Sequence, residues 1–178
     1  MERQNHGFNF EKECFNKYSI IPSQGYTDKW DGYLGEIPVS IKTAKLGSDI
    51  EMADFFRQAS ISEDFYLIVG FWSEEKGKNC IIEEHILFIN GKEYHSLFSQ
   101  DYIVKFRELL DTITNDKSDD ERWKSKISEY RSEWKKNTPN LIRPRFKRDH
   151  KTQKRIQCAI NNKDFYSYFI SRYAKEMK

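Results

Sequence analysis

The sequence predicts a mixed α/β fold built around one central sheet. Residues 30–42, Trp-Asp-Gly-Tyr-Leu-Gly-Glu-Ile-Pro-Val-Ser-Ile-Lys, have the alternating pattern of a short hairpin that turns at Gly35 and Glu36. Residues 65–72, Phe-Tyr-Leu-Ile-Val-Gly-Phe-Trp, form a continuous apolar run of strand length, typical of a central strand covered on both faces. A helical pattern between these segments supplies the crossover that a parallel pairing of the two strands requires.

The first part of the chain supports this order. Aromatic residues and one glutamate recur at spacings of three, four and three on one face of a helix predicted over residues 7–18: Phe8, Glu11, Phe15 and Tyr18. A short strand over residues 18–24 and the hairpin over 29–44 follow. The string Ser48-Asp49-Ile50-Glu51 then predicts the start of the crossover helix, which continues to Ala59.

The second part of the chain adds a strand, two helices, a hairpin and a last helix. Residues 80–89 predict a strand that ends at Asn90-Gly91, and residues 101–114 and 118–136 predict helices. Apolar and basic residues alternate over 141–147 and 155–160, which predicts a basic hairpin turning near residues 149–152. Asn162 is the predicted cap of a final helix.

Composition limits the class of protein. The 178 residues suffice for one domain with its own core, and 15% aromatic residues are too many for a disordered chain. Three widely spaced cysteines favour a reducing compartment over a disulfide framework. No apolar run is long enough to span a membrane and the first residues lack the pattern of a signal peptide, so we expect a cytoplasmic protein.

Charge is distributed unevenly along the chain. The net charge is +2, but residues 135–178 contain 13 Lys and Arg against 3 Asp and Glu. Residues 1–134 contain the remaining 17 basic and 25 acidic residues. The last quarter is therefore expected to bind a polyanion.

The hairpin brings together the residues that suggest chemistry. If Gly35 and Glu36 form its turn, Asp31 lies opposite Ser40, and Lys42 lies diagonal to Asp31 on the same face. A buried or half-buried lysine beside an aspartate is costly unless something else, such as a metal ion and a phosphate, completes the charge balance. Turn formation by Asp31 and protection of a sheet edge by Lys42 are the structural alternatives.

This arrangement resembles the PD-(D/E)XK nuclease superfamily, in particular small type II restriction endonucleases, over residues 7–89. The resemblance implies a restriction-endonuclease-like sheet in α-β-β-β-α-β order, with C-terminal helices and a basic hairpin. It implies that Asp31 binds a metal ion, that Lys42 is the catalytic lysine, and that Glu11 is the carboxylate of the first helix.

The sequence departs from the family pattern at Ser40, where the second acidic residue is expected. Some family members place this carboxylate on the following helix, so Glu51 is the candidate catalytic and metal-binding replacement. Glu36 and Asp54 are weaker candidates. Ser48 and Glu51 also match a capping box, which is the structural alternative; Glu11 could likewise be an ordinary solvated helix residue.

The basic segment supplies the predicted DNA-binding residues. A two-stranded ribbon fits the major groove of DNA, where Arg pairs with guanine and Gln with adenine. The candidate residues are Arg143, Arg145, Lys147, Arg148, Lys151, Lys154, Arg155 and Gln157. A solvated hairpin, or one that contacts phosphates alone, is the alternative.

Together these observations predict a Mg²⁺-dependent, site-specific endonuclease that cleaves double-stranded DNA, with Mn²⁺ as a substitute ion. Residues 1–114 would form the nuclease core, and residues 115–178 a helical and basic segment packed on it for DNA recognition and dimerisation. A homodimer is expected because two-fold symmetric sites favour one. The alternatives are a non-catalytic nucleic-acid-binding protein with a degenerate nuclease fold and a structure-specific resolvase or repair nuclease.

Overall fold

Two sheets organise the chain and share one apolar core. The structure is a computed structural model that describes residues 2–25, 28–115, 120–148 and 154–174. A five-stranded mixed sheet has the strand order β1-β2-β3-β5-β6, and a three-stranded antiparallel sheet has the order β4-β8-β7. The strands are β1 (Ile21–Pro22), β2 (Gly32–Leu34), β3 (Ile37–Lys45), β4 (Ile50–Asp54), β5 (Phe65–Glu75), β6 (Lys78–Ile89), β7 (Ile142–Arg148) and β8 (Lys154–Ile160).

Helices cover both sheets. They are α1 (Glu2–Tyr18), α2 (Phe55–Ala59), α3 (Gly91–Ser96), α4 (Gln100–Asn115), α5 (Asp120–Asn137), α6 (Asn162–Asp164) and α7 (Ser171–Tyr173). A π-helical segment, Phe165–Ile170, joins the last two. Asn161 caps α6 by accepting a hydrogen bond from the backbone of Lys163, so the prediction that Asn162 is the cap was wrong by one residue.

The mixed α/β class is confirmed, and within the five-stranded sheet the predicted β2–β3 hairpin and the parallel pairing of β3 with β5 are present. Leu34 pairs with Ile37 across the turn of the β2–β3 hairpin. Strand β3 pairs in parallel with β5, and β6 pairs antiparallel to β5 on its other side. The apolar strand β5 is therefore central, as its sequence predicted.

The crossover differs from the predicted helix over residues 48–59. Residues Ile50–Asp54 form strand β4, and only Phe55–Ala59 are helical. Ile50 and Met52 are fully buried, whereas Glu51 is exposed, so the segment alternates with period two. Pairing of β4 with β8 decides in favour of the strand, and the helix begins only after Asp54, whose side chain caps it.

The predicted basic hairpin is confirmed where the structure describes it. In the antiparallel pair β7–β8, Arg145 lies opposite Gln157 and Lys147 opposite Arg155. Residues 149–153, which contain the expected turn, lie outside the described residues.

The larger hydrophobic cluster lies between the two sheets. It joins Leu67 and Phe71 of the central strand to Ile50, Cys158 and Ile160 of the second sheet. A smaller cluster lies on the opposite face of the five-stranded sheet, where helix α1 packs: Phe10, Cys14, Ile20, Val39, Ile41 and Ile68. Gly70 permits this packing, because a Cβ atom there would lie 2.6 Å from the Phe10 ring.

Helix α5 uses its apolar stripe for packing inside the chain. Trp123, Ile127 and Trp134 are each buried, and the indole of Trp134 donates a hydrogen bond of 2.8 Å to the carbonyl of Ile142. The two tryptophans of α5 therefore belong to the packed interior of the chain. The expected homodimer stays a prediction.

Among the described helices, none has the length and apolar character needed to cross a bilayer. Cys14, Cys80 and Cys158 are free, and the first and last of these are buried.

Candidate active site

The β2–β3 hairpin brings Asp31 and Lys42 into contact. The backbone N–H of Asp31 donates to the carbonyl of Val39 at 3.0 Å, which extends the ladder one residue beyond the Gly32–Val39 pair. Asp31 consequently lies opposite Ser40, with Lys42 two residues further along β3. The alternation of side chains then directs Val39 and Ile41 towards helix α1, in the smaller cluster.

One oxygen of Asp31 accepts three hydrogen bonds. Oδ2 lies 2.6 Å from the backbone nitrogen of Ile41, 3.0 Å from Nζ of Lys42 and 3.3 Å from Oγ of Ser40. The side chains of Asp31 and Lys42 are 30% and 20% exposed, so the ion pair is half-buried but open on one side. The predicted meeting of these two groups is confirmed, whereas their catalytic role stays a prediction.

The ion pair retains capacity for further ligands. Lys42 Nζ donates to Asp31 and, at 3.0 Å, to the carbonyl of Ile41, which leaves one of its three donors. Oδ1 of Asp31 has no hydrogen-bond partner within the described ranges. A carboxylate oxygen and an ammonium proton are thus available side by side.

Glu11 of helix α1 lies close enough to interact electrostatically with both groups. Burial raises the pKa of Glu11, the negative charge of Asp31 raises it further, and the positive charge of Lys42 opposes the shift. Glu11 and Asp31 line a cleft of about 330 Å³. The remaining residues of this cleft are Ser23, Gln24, Gly25, Asp28 and Trp30.

The segment that precedes Asp31 is held in place from two sides. Trp30 is buried and its ring centroid lies 5.0 Å from that of Phe65. Lys29 Nζ contacts Glu63 Oε1 at 2.7 Å. Burial alone would raise the pKa of Glu63, but hydrogen bonds from Lys29 and from the backbone of residues 62 and 63 outweigh it and lower the pKa to about 2.

Glu51 does not occupy the predicted position on the first turn of a helix. It lies on β4 in the second sheet, where its Oε1 contacts Nη1 of Arg145 at 2.7 Å. Asp54, the weaker alternative, caps helix α2, and Glu36 lies exposed in the hairpin turn. The contacts formed by these three carboxylates are therefore structural or solvent contacts.

The carboxylates at the cleft fit one type of metal site. No three His, Cys, Asp or Glu side chains in the described part of the chain are grouped so as to hold a metal ion. Mg²⁺, however, is commonly held by one or two carboxylates together with waters and substrate phosphates. Glu11 and Asp31 supply two hard oxygen donors whose mutual repulsion a divalent cation would relieve. This donor set fits Mg²⁺ or Mn²⁺ completed by substrate, and does not fit a closed structural metal site.

At the end of the basic hairpin away from its turn, the arginines are paired with acidic residues. Arg145 contacts Asp49 at 2.5 Å in addition to Glu51, and Arg143 contacts Asp164 at 3.2 Å. Lys147 and Arg155 lie opposite each other further along the hairpin, and within the described ranges neither forms an ion pair. Gln157 is half-buried opposite Arg145, the side chains of Arg148 and Lys154 are not described, and Lys151 lies outside the described residues.

Sequence reasoning missed two acidic residues that the structure makes prominent. Asp28 lines the cleft and accepts a 2.8 Å hydrogen bond from the backbone of Gly25. The acceptor Asp28 follows its donor Gly25 by three residues, whereas an Asx turn places the acceptor two residues before the donor, so no turn pattern predicted this contact. Asp49 accepts hydrogen bonds from Arg145, Asn161 and the backbone of residue 162. These partners lie about a hundred residues away in sequence, so no local sequence pattern could predict the contacts.

Comparison with known proteins leaves the site to be judged on its own geometry. No family model, no curated protein and no solved structure gives a significant match to the chain.

Proposed function

We propose that this protein is a divalent-metal-dependent endonuclease that hydrolyses phosphodiester bonds in double-stranded DNA. The single observation that carries the proposal is the 3.0 Å contact of Asp31 and Lys42 at a cleft that Glu11 also lines. A carboxylate pair for a cation and an ammonium beside it can together supply the water activation and charge stabilisation that accelerate phosphodiester hydrolysis.

The strand arrangement supports the same proposal. An antiparallel β1-β2-β3 meander is followed by β5 in parallel with β3, and helix α1 packs on one face. This is compatible with the restriction-endonuclease-like order α-β-β-β-α-β, provided that β4 and α2 together replace the expected crossover helix. A type II restriction enzyme of the PD-(D/E)XK superfamily is therefore the specific form of the proposal.

Asp31, Glu11 and Lys42 each have a defined part in the proposed reaction. Asp31, through Oδ1, and Glu11 would hold the cation. When bound, Mg²⁺ lowers the pKa of a coordinated water and stabilises the charge that develops on the phosphoryl group. Lys42, through its remaining donor, orients the attacking water or contacts a phosphate oxygen. Asp31 holds the ammonium in position.

Recognition of DNA is assigned to the outer part of the basic hairpin. The acids paired with Arg143 and Arg145 compete with phosphate for these two residues. Lys147 and Arg155 have no such partner in the described ranges, and the chain continues into further basic residues at 148, 151 and 154. A protein acting on cellular DNA with free thiols would operate in the cytoplasm.

Cleavage of plasmid DNA tests the proposal directly. Wild-type protein with Mg²⁺ is expected to yield discrete fragments, and none with EDTA. Asp31→Asn and Lys42→Gln are each expected to reduce the rate at least about 100-fold, the size of one electrostatic contribution. Lys45→Gln is the matched control, because Lys45 lies on the same strand but is exposed, and its rate should equal that of wild type.

A non-catalytic nucleic-acid-binding protein with a degenerate nuclease fold is the second candidate. Ser40 in place of an acid, and the absence of a three-ligand metal group among the described residues, favour it. Salt-dependent binding of DNA without cleavage in either Mg²⁺ or Mn²⁺ would decide for this candidate. Cleavage of branched DNA alone would indicate a structure-specific nuclease instead.

A further inference from the structure

A basic groove runs between helix α5 and strand β7, away from the cleft at Asp31. At one end is a cleft of about 230 Å³ lined by Arg131, Trp134, Lys135, Asn140, Arg143 and Pro144. At the other end is a cleft of about 250 Å³ lined by Lys124, Ile127, Ser128, Arg131 and Phe146. Arg131 lines both, so the two clefts are adjacent, and together they are called here the α5–β7 groove.

The sequence of α5 explains why the groove is basic along its length. Lys124, Ser128, Arg131 and Lys135 follow each other at spacings of four, three and four residues, which places them on one face of the helix. With a rise of about 1.5 Å per residue, this face extends over roughly 16 Å. Of the described residues that line the groove, four are cations and none is a carboxylate.

Two cations of the groove, Arg131 and Arg143, are only partly compensated within the described ranges. Arg131 forms no ion pair within the described ranges, and its guanidinium lies over the Phe146 ring at 5.4 Å. Desolvation, followed by the positive charge of nearby Arg145, lowers the pKa of Arg131. Arg143 contacts Asp164 through Nη2, but its Nε is buried without a hydrogen-bond partner among the described residues. An unpaired buried donor is unfavourable until an acceptor reaches it.

We infer that the α5–β7 groove binds the phosphodiester backbone of duplex DNA. Phosphate oxygens would accept hydrogen bonds from Arg131 and Lys135, while Arg143, held by Asp164, contributes positive charge to the groove. The aromatic members cannot stack on bases, since Trp134 is buried and Phe146 is covered by Arg131. Binding there is therefore independent of base sequence and positions the duplex rather than reading it.

The inference rests on the proposed function only in the choice of DNA as ligand, and its test is separate from catalysis. Binding of a fluorescent 20-base-pair duplex is measured by anisotropy in EDTA over a range of salt concentrations, for two sequences. R131Q/K135Q is expected to weaken binding about tenfold for both sequences, and to reduce the slope of log K against log salt by about 2. K78Q/K92Q removes the same charge from exposed sites elsewhere and should bind as wild type.

Further arms identify the ligand and guard against misfolding. Inorganic phosphate at millimolar concentration is expected not to displace the duplex, because a single phosphate cannot span the groove; displacement would show a small-anion site and overturn the inference. R131K/K135R retains charge and should restore most of the affinity. Equal binding by R131Q/K135Q and K78Q/K92Q overturns the inference, whatever the outcome of the cleavage assay. If the wild-type protein does not cleave DNA, but binds it and R131Q/K135Q weakens that binding, only the proposed nuclease activity is overturned.

Discussion

At position 31, one carboxylate oxygen satisfies a backbone N–H, a hydroxyl and an ammonium at once. A charge of this kind is costly to bury, and Lys42 offsets that cost. Glu11 has no comparable partner within the described residues, and its ionised form is opposed both by burial and by Asp31. At the residue scale the cleft therefore contains one stabilised and one destabilised carboxylate.

Replacement of Glu11 by glutamine tests this difference. Since the pKa of Glu11 is raised in the folded state, the folded protein binds a proton more tightly than the unfolded chain does. Stability contributed by this group falls as pH rises above the ordinary value of 4.5. Glutamine does not ionise, so Glu11→Gln does not lose stability as pH rises. At pH 7 without metal the variant is expected to melt at a higher temperature than wild type. Below a pH of about 4 the two proteins are expected to melt at the same temperature.

A divalent cation should reverse the order of the two melting temperatures at pH 7. Differential scanning fluorimetry with Mg²⁺ or Mn²⁺ is expected to stabilise wild type at pH 7 and to leave Glu11→Gln almost unchanged, because ligand binding stabilises only the form that binds it. A lower melting temperature for the variant at pH 7 without metal, together with equal shifts on adding metal, would contradict this prediction.

At the scale of elements, the packing of helix α1 on the sheet depends on the absence of a side chain at Gly70. Gly70 lies in the central strand, and the ring of Phe10 occupies the space above it. Glu11 is the next residue of the same helix. The contact between Phe10 and Gly70 therefore also determines where the Glu11 carboxylate lies.

Gly70→Ala is expected to displace α1, because a Cβ atom at 2.6 Å from the Phe10 ring cannot be accommodated without movement. Overpacking of this kind costs about 1–3 kcal/mol of unfolding free energy. Urea denaturation measures this loss, and the cleavage rate should fall with it. The double variant with Phe10→Leu should recover much of both; if it recovers neither, the contact does not position the helix.

The elements differ in how well sequence alone determined them. The hairpin at Asp31 was predictable because its turn and its register are local, so counting outward from residues 35 and 36 sufficed. Residues 50–54 satisfied a helical and a strand pattern at once. The choice was made by β8, which lies about a hundred residues later. The partners of Arg145 could not be predicted for the same reason.

At the scale of the whole molecule, residues 1–114 do not form a complete hydrophobic core by themselves. The larger core contains buried side chains from the remainder of the chain, and helix α5 is fastened to β7 through Trp134. The most buried of these later residues are Trp134, Ile142, Ile156, Cys158, Ile160, Phe165 and Phe169.

A fragment of residues 1–114 is therefore expected not to fold. Without the later residues, β4 loses its partner strand and the face of β5 towards the second sheet is uncovered. Circular dichroism during heating should show no cooperative transition for the fragment, and one transition for the full chain. A sharp transition in the fragment would instead support two separable units.

The late arrival of β8 has a consequence during synthesis on the ribosome. Ile50 pairs with Ile160, so the strand that carries Ile50 and Met52 leaves the ribosome long before its partner exists. At about 5–20 residues per second, translation of the intervening hundred residues takes roughly 5 to 20 s. Throughout that interval an apolar strand with a free edge is open to association with other nascent chains, and chaperone demand should be greatest then.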